Sequence, residues 1–128
     1  MPTIRVDIRR RVPDDKVRMV WNRIYPDTPM PCIEAYVMKP KEYFKAAREA
    51  ENDPQTRQNI MVEYGKYVPL STRAGFVAKA PNLRGYIIVR KSTSKVSLED
   101  VSDHEMRHIF SRMKQEADSS SSVGSNPQ

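Results

Sequence analysis

The stretch His104-Glu105-Met106-Arg107-His108 contains both histidines of this 128-residue chain, with a glutamate directly after the first. Residues four apart on an α-helix lie one turn apart on the same side of the helix. Both imidazole rings can therefore reach one ion if the stretch is helical. The spacing predicts a helix on which His104 and His108 bind a single metal ion.

The residues around the two histidines favour such a helix. Ser97 and Asp100 form a capping box of the S-x-x-D kind, which predicts a helix that begins at Leu98 and runs to about Ala117. Apolar residues then follow one stripe, formed by Leu98, Val101, Ile109 and Met113, with Met106 and Phe110 at its edge. A helix near the C-terminus with one buried face is the expected result.

The remaining elements predict an α+β fold with a small, mostly antiparallel sheet and packed helices. Alternating or apolar runs predict strands at residues 3–9, 33–38, 74–80 and 85–90, of which the last two form a hairpin. Helical spacing and proline positions predict helices at residues 13–24 and 40–51, and a third that begins near Pro54 and includes Tyr67 and Val68. The sequence shows no internal repeat.

Composition places the chain among single-domain proteins. Residues 1–118 are expected to form one domain, and the serine-rich residues 119–128 a disordered tail. No apolar segment is long enough for a membrane span, and the single cysteine, Cys32, fits a reducing compartment. We therefore expect a cytoplasmic protein without a membrane partner.

The chain resembles small single-domain zincin-like metallopeptidases of the HExxH type, found in archaea, bacteria and their viruses. The resemblance is carried by Ala74-Gly75-Phe76-Val77, Tyr86-Ile87-Ile88-Val89, Leu98-Glu99-Asp100-Val101 and the five-residue motif. It implies a zinc ion held by His104 and His108, with Glu105 as the general base. It also implies that the strand ending near Arg90 lines the cleft and pairs with an extended peptide substrate.

The motif leaves a third zinc ligand undefined. Glu116 lies downstream, but about 12 Å beyond His108 along a straight helix, so it reaches the same ion only if the helix breaks. Upstream Glu63, Asp100 or Asp103, or a carboxylate from a second subunit, are alternatives that stay open at this point. Oligomeric state is not indicated by the sequence.

The function expected from these features is hydrolysis of peptide bonds in a peptide or protein. Zinc lowers the pKa of a bound water towards 7 and polarises the scissile carbonyl, and Glu105 takes the proton of the water. The reaction also needs a donor that stabilises the oxyanion, for which Tyr86 and Arg107 are the candidates. Enzymatic activity is thus an expectation that depends on the metal.

Two alternatives to an enzyme remain. The formal charge of +6 and the run Arg9, Arg10 and Arg11 permit a basic module that binds nucleic acid or a protein partner, although a solvated basic surface is the favoured interpretation. In that case the HExxH pattern is degenerate or accidental. The other alternative is a domain in which the metal only stabilises the fold.

Overall fold

A three-stranded mixed sheet lies at the centre of the fold. The computed structural model describes residues 4–80, 84–96 and 101–124, with side chains up to residue 118. Its strands are β1 (Ile33–Met38), β2 (Gly75–Ala80) and β3 (Gly85–Lys91), in the order β1-β3-β2. The predicted hairpin is confirmed, because β2 and β3 pair antiparallel with Phe76 opposite Val89. The residues between these two strands at positions 81–83 lie outside the described part.

The prediction of a mostly antiparallel sheet is wrong, since one of the two strand pairs is parallel. β3 runs parallel to β1, with Ile33 opposite Tyr86 and Val37 opposite Arg90. Two helices and β2 lie between these strands in the chain, and a connection of this length lets β3 enter the sheet in the direction of β1. The fold is therefore a mixed α+β arrangement.

Four helices cover the two faces of the sheet: α1 (Asp14–Ile24), α2 (Pro40–Glu51), α3 (Pro54–Tyr64) and α4 (Asp103–Gly124). The first two confirm the predicted bounds to within a residue. α3 ends earlier than predicted, because Gly65 adopts a left-handed conformation with φ of 68° and closes the helix. Tyr67 and Val68 consequently lie outside the helix.

The core has two parts, one on each side of the sheet. On one face α1 and α4 pack against β1 and β3, and Trp21, Ile88, Met106 and Ile109 are almost fully buried there. On the other face α2 and α3 contribute buried side chains that include Tyr43, Ala47 and Ile60, packed with Phe76 and Val89 of the sheet. The alternation of side chains along each strand supplies both faces.

The predicted strand at the N-terminus is wrong for the residues described. Residues 4–7 have no strand pairing, and Ile8–Arg10 forms a 3₁₀ turn whose start is capped by Asp7. The Asp7 side chain accepts from the backbone N–H of Arg9 at 3.0 Å. Because Ile8 is 67% exposed, the apolar alternation does not mark a buried face. The hydrogen bond from the Arg9 N–H to the Asp7 side chain stabilises a turn here, although the alternating apolar residues predicted a strand.

Helix α4 begins and ends later than predicted. Val101 and Ser102 are not helical, so a helix that begins at Leu98 is excluded, while Ser97 and Asp100 lie outside the described residues. Met106 is fully buried at the centre of the apolar stripe, where an edge position was expected. The helical backbone continues past Ala117 to Gly124. The predicted disorder of residues 119–128 stays a prediction.

None of the described helices has the length and apolar character required to cross a membrane.

Candidate functional site

Ser102 positions the start of the helix that carries the two histidines. Its hydroxyl accepts from the backbone N–H of Glu105 at 3.4 Å, and its carbonyl accepts from the N–H of Met106 at 3.2 Å. Ser102 and Glu105 therefore occupy the first and last places of an S-x-x-E pattern, with Ser102 as the helix cap. The predicted capping box at Ser97 and Asp100 has a similar form but lies upstream, outside the described residues. The later start places both histidines in the first two turns.

His104 and His108 meet on the surface of α4, as their spacing predicts. Their Nε2 atoms lie 2.9 Å apart, and the ring planes are almost perpendicular at 88°. Two nitrogen ligands on a tetrahedral zinc ion lie about 3.3 Å apart, given zinc–nitrogen bonds of about 2.0–2.1 Å. The same separation also suits a hydrogen bond between one protonated and one bare nitrogen. The pair can thus share a proton or, after a small opening, hold an ion.

Glu105 points away from solvent into the protein. Only 4% of the residue is exposed, and its Oε2 atom has no hydrogen-bond partner among the described residues. Burial raises the pKa of the Glu105 carboxyl, while Arg73, His104, Arg90 and Arg112 act in the opposite direction. A carboxylate with a raised pKa is a better proton acceptor near neutral pH than an exposed glutamate.

Glu105 and His108 line the same small cavity. Its volume of about 10 Å³ is close to the space that one water molecule requires. The polar lining also includes Glu63, Arg73 and Arg112, and apolar side chains such as Ile60, Leu70 and Phe76 complete the wall. The Nε atom of Arg112 is also buried and has no partner among the residues that the structure describes. The lining of this cavity therefore contains one unsatisfied acceptor and one unsatisfied donor. This site suits a bound water.

Glu63 of α3 lies against the Nδ1 side of the His108 ring, whereas His104 lies against the Nε2 side. Its Oε1 atom lies 3.7 Å from Nδ1 of His108 and 3.6 Å from Nη2 of Arg112. Burial lowers the pKa of His108, an effect that the Glu63 carboxylate opposes. Neutral imidazole is the form that binds metal ions, so this shift favours a ligand role at neutral pH.

The structure does not bring a third metal ligand to the pair. Glu116 instead contacts Nζ of Lys79 at 3.2 Å and accepts from the hydroxyl of Tyr86 at 3.2 Å. Asp103 pairs with Arg23 at 2.8 Å, and Asp100 lies outside the described residues. No group of three or more histidine, cysteine or acidic side chains with metal-binding geometry exists in the described part of the chain. The donor set fits zinc at two of its four corners.

The two predicted oxyanion stabilisers lie elsewhere. The hydroxyl of Tyr86 is engaged by Glu116, and Arg107 is exposed on the outer side of α4. The lining of the Glu105 cavity contains Arg73 and Arg112 instead, which the sequence interpretation missed. Arg112 follows His108 by four residues and so shares its helix face, a signal that was available. Glu63 was an open candidate for the third ligand, but it lies against Nδ1 of His108 and not on the Nε2 side that faces His104. Arg73 comes from another part of the chain, and no local pattern indicates its approach.

A larger polar groove shares one lining residue, Arg112, with the Glu105 cavity. It has a volume of about 640 Å³ and is lined by Gln55 and Asn59 of α3, Lys79 and Tyr86 of the sheet, and Arg112, Gln115 and Glu116 of α4. The Nη1 atom of Arg112 donates to the carbonyl oxygen of Val77 at 2.9 Å. Arg112 contributes to the lining of both the larger groove and the water-sized cavity.

The basic run at the N-terminus makes internal contacts. Arg9 pairs with Asp7 at 3.0 Å, and Nε of Arg10 donates to the carbonyl oxygen of Val37 at 2.8 Å. Arg11 forms ion pairs with Asp14 at 3.0 Å and Glu34 at 3.8 Å. These contacts connect the N-terminal segment to the sheet and α1, and they give the run a structural role. Binding of nucleic acid by Arg9, Arg10 and Arg11 stays a prediction.

Comparisons with protein-family models, curated proteins and solved structures found no match to this chain.

Proposed function

We propose that this chain is a zinc-dependent hydrolase that cleaves peptide bonds with Glu105 as general base. The observation that carries the proposal is the convergence of the His104 and His108 Nε2 atoms at 2.9 Å, together with a buried Glu105 that lines the same cavity as His108. In metal-assisted hydrolysis, histidine nitrogens hold the ion and a carboxylate takes the proton of its water, and this pair would supply two of the three protein ligands of a catalytic zinc site. The remaining ligand positions are occupied by water, by substrate, or by a residue outside the described part.

Each side chain has a defined role in this proposal. His104 and His108 hold the zinc ion, which when bound supplies an acidic water and polarises the scissile carbonyl. Glu105 takes the proton of the attacking water and passes it to the leaving amine, which its raised pKa favours. Arg112, with a buried and unsatisfied Nε–H beside this site, replaces Tyr86 and Arg107 as the proposed oxyanion donor.

The position of β2 supports an extended peptide as substrate. The resemblance placed the peptide on β3, but β3 is the central strand and pairs on both sides, so that assignment is wrong. β2 is one of the two edge strands of the described sheet, and a strand edge can accept a peptide as an added strand. The polar groove is lined by Lys79 of this strand and by Arg112. A peptide in the groove would pass next to the proposed oxyanion donor.

The test measures zinc content and peptide hydrolysis on the same preparations. We expect about one zinc per wild-type chain, lost in the double variant with His104→Ala and His108→Ala. Glu105→Gln should retain zinc and lose turnover by about 10²-fold or more, because the general base is gone while the ligands stay. Full activity of Glu105→Gln would exclude the assigned role.

A control variant separates loss of the site from loss of the fold. Glu49 lies on α2 and forms an ion pair with Arg5. The variant Glu49→Gln should leave zinc content and turnover unchanged. Absence of zinc from the wild type after metal is added back would exclude the hydrolase. Salt-sensitive binding to polyanions that is lost with Arg9, Arg10 and Arg11 would then favour the basic binding module.

A further inference from the structure

We propose that Glu63 is a positioning residue that fixes the tautomer and ring orientation of His108. Through this contact the Nε2 lone pair of His108 faces the shared ion site before any ion arrives. The role in metal binding rests on the proposed function, whereas the effect on the imidazole itself holds in the metal-free protein. Nothing in the sequence pattern of α3 indicates this role.

The geometry places a carboxylate against the ring nitrogen that is not used for the ion. Oε1 of Glu63 lies 3.7 Å from Nδ1 of His108, while Nε2 of the same ring faces His104. The side chains of Glu63 and His108 are 23% and 22% exposed, so water screens their contact only in part. A carboxylate that accepts from this ring nitrogen commonly orients metal-binding histidines, and a shift of roughly 0.5–1 Å would bring Glu63 within hydrogen-bond distance.

Arg112 holds Glu63 in place. Its Nη2 atom lies 3.6 Å from the same Oε1 atom, and its Nη1 atom donates to Val77 of β2. The guanidinium is planar and its nitrogens have a rigid arrangement, so the bond to Val77 also restricts Nη2. Arg112, which lies on the same helix as His108, therefore links Glu63 to the sheet.

The proposal gives each ring one proton position. An ionised carboxylate only accepts, so Glu63 favours the tautomer of His108 that carries its proton on Nδ1. The Nε2 atom of His108 is then an acceptor, and at 2.9 Å it accepts from the protonated Nε2 of His104. His108 therefore already presents a lone pair to the ion site. His104 is exposed, so solvent would let its proton move from Nε2 to Nδ1 if an ion were bound.

The first experiment measures the tautomer without metal. Nitrogen-15 chemical shifts of the two imidazoles, recorded in chelator above the titration range of histidine, should show His108 protonated on Nδ1 and His104 on Nε2. In Glu63→Ala the shifts of His108 should move towards the tautomer mixture of free histidine. Glu63→Gln should retain much of the wild-type pattern, because its amide oxygen still accepts. A wild-type His108 protonated on Nε2 would overturn the proposal.

The second experiment measures zinc affinity by competition with a chelator of known affinity. Glu63→Ala should weaken zinc binding by about 10–100-fold, the usual effect of removing a carboxylate that supports a ligand histidine. The matched control is Glu49→Ala, because Glu49 also lies on a helix, contacts an arginine and has a side chain that is 27% exposed. The control should bind zinc with wild-type affinity, and thermal unfolding should verify that both variants fold.

The outcomes separate this proposal from the proposed function. If the wild type binds zinc and Glu63→Ala binds it equally tightly, the role of Glu63 is wrong and the hydrolase proposal stands. If the wild type binds no zinc, the hydrolase proposal fails, and the tautomer measurement alone decides the role of Glu63. Unchanged His108 shifts in Glu63→Ala would exclude it in either case.

Discussion

The guanidinium of Arg112 donates from Nη1 to the carbonyl oxygen of Val77 at 2.9 Å and so connects α4 to β2. The same side chain faces Glu63 and lines the cavity that contains Glu105. One residue thus contacts the strand, the carboxylate beside His108 and the proposed catalytic site. Its removal should affect the fold and the chemistry together.

Replacement of Arg112 by methionine should destabilise the protein and reduce hydrolysis. Loss of a hydrogen bond from a charged group costs about 1.5–3 kcal/mol, which denaturant unfolding can measure. Turnover should fall by about 10²–10³-fold if the guanidinium stabilises the oxyanion. Arg112→Lys keeps the charge without the planar geometry and should recover little of either. A methionine variant with wild-type stability and turnover would contradict both roles.

Replacement of Gly85 by alanine should disrupt the parallel pairing of β1 with β3. A Cβ atom at this position would lie 2.1 Å from the carbonyl oxygen of Cys32, which accepts from the N–H of Tyr86 at 2.8 Å. The carbonyl of Cys32 and the N–H of Tyr86 both belong to the backbone. Neither can move away from the added Cβ atom without breaking the hydrogen bond between the two strands. We expect a loss of about 3 kcal/mol or more in the free energy of unfolding.

Gly65 provides the matched control for this prediction. A Cβ atom there meets no atom within 4 Å, but the residue has φ of 68°. Gly65→Ala should therefore cost only about 1 kcal/mol, from left-handed backbone strain alone. Equal costs for the two alanine variants would indicate that the contact with Cys32 is relaxed in solution.

Replacement of Tyr86 by phenylalanine should change the stability of the protein at high pH. Burial, with help from Glu116, raises the pKa of the Tyr86 hydroxyl to about 12. The neutral phenol is thus favoured by folding, and its contribution is complete below pH of about 10, the pKa of an unfolded tyrosine. It is lost as the pH rises from about 10 to about 12.

The measurement compares unfolding free energies of the wild type and Tyr86→Phe across this range. The wild type should lose more stability than the variant between pH of about 10 and about 12, by less than the roughly 2.7 kcal/mol of a full two-unit shift, since solvent screens part of the interaction. Parallel stability curves for the two proteins over this interval would show that the phenol titrates normally.

Replacement of Glu105 by glutamine should separate stability from activity. Burial raises the pKa of the Glu105 carboxyl, so the charged form is disfavoured in the folded state above the pKa of an unfolded glutamate. At pH of about 8 without metal, the neutral amide should therefore be as stable as the wild type, or more stable by about 1 kcal/mol. Thermal unfolding in chelator provides the measurement. A strong loss of stability would indicate that the carboxylate mainly binds the surrounding arginines.

Local features of the sequence determined most helices, the hairpin and the meeting of the two histidines. Pro40 at a helix start and the capping Asp53 act within one turn, and His104 and His108 share a face because of helix geometry alone. Such interactions join residues a few positions apart. These interactions can therefore be predicted from the sequence without knowledge of the rest of the fold.

The tertiary structure alone decided the sheet and the surroundings of the site. The parallel pairing of β1 with β3, and the approach of Glu63 and Arg73 to His108 and Glu105, join residues far apart in the chain. At the N-terminus, Val6 and Ile8 alternate like a strand, yet both are exposed and unpaired. Alternation states only which residues could share a face, whereas burial depends on whether another element arrives to cover that face.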